Sequence, residues 1–184
     1  METKMGDKII IGFCGKAQVG KDSAADYLVE HYGFVKMNFA GYLKEIAEQA
    51  GWNGLKDNRG RRYLMHLGDV MREYDPAIFI KELYCKINRH EALCQDTSPE
   101  FDCRIVISDI RLADEVAAIK EIGGQVCLIL RDINGAEDHA TERMDETWSD
   151  KVDFVMQNNG SFSQLYNGVE SMFNKIKKTA DEKK

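Results

Sequence analysis

Hydrophobic positions along the chain fall into short apolar runs separated by longer amphipathic stretches. Lys8 to Cys14 is apolar at every position after its lysine, which predicts a strand buried on both faces. Asp22 to His31 places Ala24, Ala25, Leu28 and Val29 on one side of a helix that Gly33 stops. Phe34 to Phe39 reads as a short strand and Tyr42 to Ala50 as a helix ending at Gly51. Asn53 to Arg62 is polar, contains Gly54 and Gly60, and reads as a loop. Arg61 to Tyr74 and Ala77 to Ala92 have helical spacing and are divided by Asp75-Pro76. A polar link, Gln95 to Asp102, leads to an apolar strand, Arg104 to Ser108, that ends at Asp109. Leu112 to Ile122 is helical and closed by Gly123-Gly124, and Gln125 to Leu130 is a strand ending at Arg131. Asp132 to Asp150 is charged and lacks a strong period, as a flap or short helices would. Val152 to Met156 is a last short strand. Asn158 to Ser161 is a turn with a helix cap, Phe162 to Lys177 is the closing helix, and 179–184 is a frayed tail.

Strands alternating with helices predict an α/β fold: a five-stranded, mostly parallel sheet with helices on both faces and right-handed crossovers. The expected organisation is one domain over 1–178. A helical insert at about 42–95 is where a second substrate can be held, and a flap spans about 132–150.

Composition narrows this picture. The 184 residues carry 25 basic and 31 acidic side chains, a net charge of −6, which disfavours a polymeric nucleic acid as partner. The five cysteines form no C-x-x-C pair and several lie in apolar runs, as in a reducing, cytoplasmic setting. The four histidines show no metal-ligand spacing, so zinc is not expected. The amino terminus lacks the apolar stretch of a signal peptide, and no apolar run approaches membrane-spanning length.

The chemistry gathers at predicted strand ends, where open parallel sheets hold their ligands. After the first strand comes Gly15-Lys16-Ala17-Gln18-Val19-Gly20-Lys21, matching the phosphate loop G-x-x-x-x-G-K. Glycines let successive N–H groups point at one anion, the following helix adds its positive dipole end, and Lys21 adds a point charge. The Ser or Thr that normally follows the lysine and ligates Mg²⁺ is replaced by Asp22, with Ser23 next, so one of these takes over or the metal is held through water. The second strand ends in Phe39-Ala40-Gly41. The third ends in Asp109-Ile110-Arg111, with Asp114 and Glu115 one turn on; Asp109 resembles the aspartate that holds Mg²⁺ in such proteins, with a cap of the next helix as the lesser alternative. The fourth ends in Arg131. Lys44, Arg61, Arg62 and Arg72 in the insert can together form an anion pocket, and Phe79, Tyr63 and Trp52 can stack on a base or lie in the core.

Taken together, these segments resemble the phage-type deoxynucleoside monophosphate kinases, P-loop kinases of the NMP-kinase-like fold. The resemblance is collinear over most of the chain: GKAQVGKDSAADYL, FAGYLKEIA, GRRYLMHLGDVMR, VISDIRLADEVAAIKEIGGQVCLILR, DHATE and NNGSFSQL. It implies a three-layer P-loop NTPase fold in which Gly15 to Ser23 hold ATP phosphates and Mg²⁺. It further implies that Lys44, Arg62, Asp109, Arg111 and Glu115 hold the acceptor nucleotide, with Phe79 near its base. Arg131 and Glu142 would belong to a closing flap, and Asn159 and Gly160 would border the adenine. Tyr42 stands where a proline is usual, Met65 where Gln is frequent and Asp69 where Thr is frequent. The expected reaction is Mg²⁺- and ATP-dependent phosphorylation of a deoxynucleoside 5′-monophosphate, with Lys21, Asp109, Arg111 and Arg131 as the catalytic set; a homodimer is compatible with it. Phosphomevalonate kinase shares the G-K-D loop and an Asp-Pro-x-x-Phe segment, dephospho-CoA kinase shares the N-x-G turn, and a non-catalytic nucleotide switch is the alternative of another class.

Overall fold

The computed structural model describes residues 7–97, 102–132 and 146–182. Five strands form one sheet: β1 (Lys8–Cys14), β2 (Val35–Met37), β3 (Cys103–Ile110), β4 (Gln125–Leu130) and β5 (Phe154–Gln157). Their spatial order is β2-β3-β1-β4-β5 and every pair is parallel, which puts β1 at the centre. The helices are α1 (Lys21–Tyr32), α2 (Ala40–Gln49), α3 (Asn58–Tyr74), α4 (Ile78–Thr97), α5 (Ala113–Glu121) and α6 (Phe162–Asp181), with a 3₁₀ turn at Glu146–Lys151.

Strand alternation creates two cores. Ile9, Ile11 and Phe13 of β1, with Val106, Cys127 and Ile129, face α1 and α6, where Ala24, Leu28, Leu165, Val169 and Phe173 cover them. Ile10 and Cys14, with Ile105, Ile107, Val126 and Leu128, face Phe79, Leu83 and Ile87 of α4 and Val116 and Ile119 of α5. Each fully buried Ile, Leu or Phe contributes about 1.5–3 kcal/mol by leaving water. Central strands covered on both faces account for the unbroken apolar runs.

The expected loop at Asn53 to Arg62 is shorter than its glycines implied, because α3 begins at Asn58. Asp57 caps that helix by accepting the Gly60 N–H at 2.7 Å, and a Cβ on Gly60 would run into the Leu55 carbonyl. That glycine serves close approach inside a first turn rather than breaking the helix. Likewise α4 continues to Thr97 through part of the expected link. At α6, Gln164 accepts the Ser161 N–H at 2.9 Å, half of a capping box that fits the expected turn with a helix cap. No described helix is long and apolar enough to cross a membrane.

Candidate phosphate-binding and acceptor site

The loop after β1 holds three backbone conformations at positive φ: Gly15 at 137°, Gln18 at 63° and Gly20 at 104°. Gly15 is required by packing as well, since a Cβ there would meet the Ile129 carbonyl of β4. Gln18 has no such licence, and its left-handed conformation is local strain of the kind that persists where the surroundings enforce it. Asn158 is part of that enforcement. It is buried just beyond β5, donates its side-chain amide to the Val19 carbonyl at 2.8 Å, and donates its backbone N–H to Leu130 at 2.8 Å. A Cβ on Gly20 would press on the same Asn158 amide.

Lys21 opens α1 and is buried, with its ammonium folded across the loop and donating to the Gly15 and Lys16 carbonyls at 2.6 Å each. A positive group and a glycine-framed loop thus stand at the amino end of a three-turn helix, an arrangement suited to a phosphate chain.

Beside it lies an exchange of side chains that the motif alone did not disclose. Ser108, buried in β3, donates its hydroxyl to Asp22 Oδ1 at 2.9 Å. Phosphate loops ordinarily carry the hydroxyl after the lysine and rely on an acid of a neighbouring strand; here the loop carries the acid and the strand the hydroxyl. Lys36 of β2 reaches Asp22 at 2.8 Å and Asp26 at 2.8 Å. Burial opposes charge on Asp22, but the hydrogen bonds from Lys36 and Ser108 outweigh it and hold the carboxyl below its usual range. Hard oxygen donors suit Mg²⁺, and the Asp22 carboxylate and neighbouring Ser23 hydroxyl supply them.

Asp109 is engaged elsewhere. Its two oxygens accept the Phe39 and Ala40 N–H groups at 2.9 Å each, so it caps α2 from across the sheet edge. The cap of α5, for which Asp109 was the alternative reading, comes instead from Glu115, which accepts the Arg111 and Leu112 N–H groups at 2.8 and 3.1 Å. Burial pushes the Asp109 carboxyl up against the two amides and the charges of Lys44 and Arg111. Burial also pushes Glu115 up to about 7, with the Asp109 charge adding to the effect and the Arg111 amide and Arg72 opposing it. Arg72 lies 4.0 Å from Glu115, with its guanidinium 4.7 Å above the Phe79 ring. Phe39 and Phe79 are both buried in the core on this side of the sheet.

Of the residues singled out from sequence, the fold brings together Phe39, Lys44, Arg72, Phe79, Asp109, Arg111 and Glu115 beside β3. Arg62 is exposed on α3, and Trp52 donates its ring N–H to the Leu55 carbonyl of its own loop. Tyr63, Met65 and Asp69 are exposed as well. Arg131 is exposed after β4, and the adjacent Asp132 is stapled to Asn159 by two hydrogen bonds of 2.9 and 2.7 Å, which tie the ends of β4 and β5 beside Gly160. Glu142, assigned to the flap, lies outside the described residues. Sequence reading passed over Ser108, Lys36 and Asn158. The one legible signal was a hydroxyl, Ser108, interrupting a buried apolar strand.

None of the protein-family models matches this chain. The chain is 28% identical over 185 residues to a protein of Acanthamoeba polyphaga mimivirus described as "Putative deoxynucleotide monophosphate kinase", a match that covers 89% of this chain and 95% of that one. Its fold is similar to dephospho-CoA kinase from Campylobacter jejuni (TM-score 0.53, 13% identity, 96% of this chain and 100% of that one). It is also similar to TT1252 from Thermus thermophilus (TM-score 0.54, 17% identity, 92% of this chain and 98% of that one). The three-layer α/β architecture is that of the P-loop fold, and the resemblance read from the motifs has a curated relative along nearly the whole chain.

Proposed function

We propose that this protein is an ATP- and Mg²⁺-dependent kinase that transfers the γ-phosphoryl group of ATP to a deoxynucleoside 5′-monophosphate. The observation that carries this reading is the juxtaposition of two unlike sites on neighbouring strands. A lysine-bearing phosphate loop follows β1, and a mixed-charge, aromatic cluster lies beside the end of β3. The mimivirus relative supports the substrate class.

An oxygen of the acceptor phosphate attacks the γ-phosphorus as the bond to the β,γ-bridging oxygen breaks, giving a nucleoside diphosphate and ADP. The second pKa of a phosphate monoester is near 6, so the acceptor is already largely a dianion and needs no strong base. Catalysis therefore rests on positioning and charge stabilisation. Lys21 turns from the loop carbonyls toward the β- and γ-phosphates, and the loop amides hold the chain. Mg²⁺, when bound, spreads the charge of the transferring group. Asp22 would hold it with Ser23 nearby, and Ser108 orients the Asp22 carboxylate. Phe79 and Phe39, buried in the core, back the acceptor pocket from beneath, Arg72 and Arg111 meet the acceptor phosphate, and Lys44 adds positive potential. Asp109 fixes the start of α2, so its part is positioning. Arg131 neutralises charge from the β4 side, with Asn159 and Gly160 beside the donor base.

The test is ADP release with a panel of deoxynucleoside monophosphates, ribonucleoside monophosphates, phosphomevalonate and dephospho-CoA. Stimulation by at least one deoxynucleoside monophosphate above all other acceptors is expected. Preference for phosphomevalonate or dephospho-CoA, or ADP release that no acceptor stimulates, overturns the reading.

A further inference from the structure

The opposite edge of the sheet carries a cluster that phosphoryl transfer does not use. His90 and Cys94 lie four residues apart in α4 and so share a helix face. Cys103 is the first residue of β3, paired in register with Lys8 of β1. The ligand atoms of the three side chains lie within 4.8 Å of one another, and His90 Nε2 stands 3.5 Å from Cys94 Sγ. His90 and Cys94 are half-buried and Cys103 is buried. The cluster sits where β1 and β3 begin, whereas the phosphate loop follows the residue where β1 ends.

The His90–Cys94 separation fits the edge of a metal polyhedron. Zinc bonds sulfur at about 2.3 Å and imidazole nitrogen at about 2.0–2.1 Å, so at a tetrahedral angle two such ligands stand roughly 3.5–3.6 Å apart. Two thiolates and a neutral imidazole balance the charge of one divalent ion. These donors are soft or borderline, so they select against Mg²⁺ and Ca²⁺. Spacing along the chain does not reveal such a set, because the third ligand comes from a different element.

We propose that His90, Cys94 and Cys103 form a binding site for one thiophilic divalent cation, Zn²⁺, at the amino-terminal edge of the sheet. Three protein ligands hold the ion and water takes the fourth position. The ion ties the last turns of α4 to the first residue of β3 across the 98–102 connection. Binding forms three metal–ligand bonds and releases the two thiol protons to solvent, with no change of oxidation state.

The experiment uses the full chain, freed of metal and kept reduced. Zn²⁺ uptake is measured against a chromophoric chelator, and Co²⁺ replaces Zn²⁺ as a spectroscopic probe. One equivalent of Zn²⁺ is expected, with a thiolate-to-cobalt charge-transfer band and the intense visible bands of a tetrahedral site. Cys94→Ser and His90→Ala should each weaken uptake by about a hundredfold or more, while Cys85→Ser, at an exposed position of the same helix, leaves it unchanged. The cobalt spectrum of the unmodified protein reports thiolate ligation even where a variant fails to fold. No uptake by the unmodified protein, a cobalt complex without the charge-transfer band, or undiminished uptake in Cys94→Ser overturns the proposal.

Discussion

The two halves of the candidate site are built on opposite principles. On the proposed donor side the site is mostly backbone: a loop of glycines and a strained Gln18, locked by Asn158 and spanned by Lys21. On the acceptor side it is almost wholly side chain. Asp109, Glu115, Arg72 and Phe79 come from four separate elements, with Arg72 set between the Glu115 carboxyl and the Phe79 ring and Asp109 bonded to the start of α2. A backbone cradle tolerates change outside its few required positions, because any residue supplies an amide. A side-chain cluster depends on each member.

Three experiments sharpen this contrast. The largest effect is expected from Lys21→Ala, which removes the mobile charge of the donor half and should lower kcat by about a thousandfold in the proposed reaction. It should leave acceptor KM nearly unchanged; full turnover in this variant would refute the role of Lys21.

The second concerns Glu115 and acid–base linkage. Its folded pKa of about 7 lies above the ordinary 4.5, so the folded protein keeps this proton where the unfolded chain has lost it. The stabilisation is complete below about pH 4.5, declines as the pH rises toward 7, and is level above, a total of roughly 3 kcal/mol. Urea unfolding at pH 5 and pH 8 should show this decline, and Glu115→Gln should flatten it. Asp109 is also pushed up, so its own contribution to the pH dependence has the same sign.

The smallest effect is expected from Ser108→Ala. Loss of its hydrogen bond to Asp22 should cost about 1 kcal/mol in unfolding free energy. It should also raise the Mg²⁺ concentration needed for half-maximal rate by up to about tenfold. A Mg²⁺ requirement indifferent to Ser108 would separate Asp22 from the metal.

Much of the fold was legible because its rules are local. Both the five strands and their parallel arrangement follow from apolar runs alternating with helical periods, and the β1 and β4 bounds coincide with those runs. Misplaced boundaries have physical reasons. Gly60 looks like a breaker until the Leu55 carbonyl is seen against it, and a polar surface conceals the last turns of α4. In the site, the phosphate loop was legible because its chemistry is consecutive in the chain. The contacts of Asp109 with Phe39 and of Asp22 with Ser108 were not, since each joins residues seventy or more positions apart.

The amino-acid order alone therefore determined where a phosphate loop lies, which segments form the sheet, and which charged residues stand at strand ends. Those properties depend on neighbours a few positions apart. Only the tertiary structure decided that Asp109 caps α2, that Ser108 orients Asp22, and that His90 and Cys94 meet Cys103. These contacts exist because β3 pairs beside β1 and carries its side chains to residues far distant in the chain, and no period or motif encodes that distance.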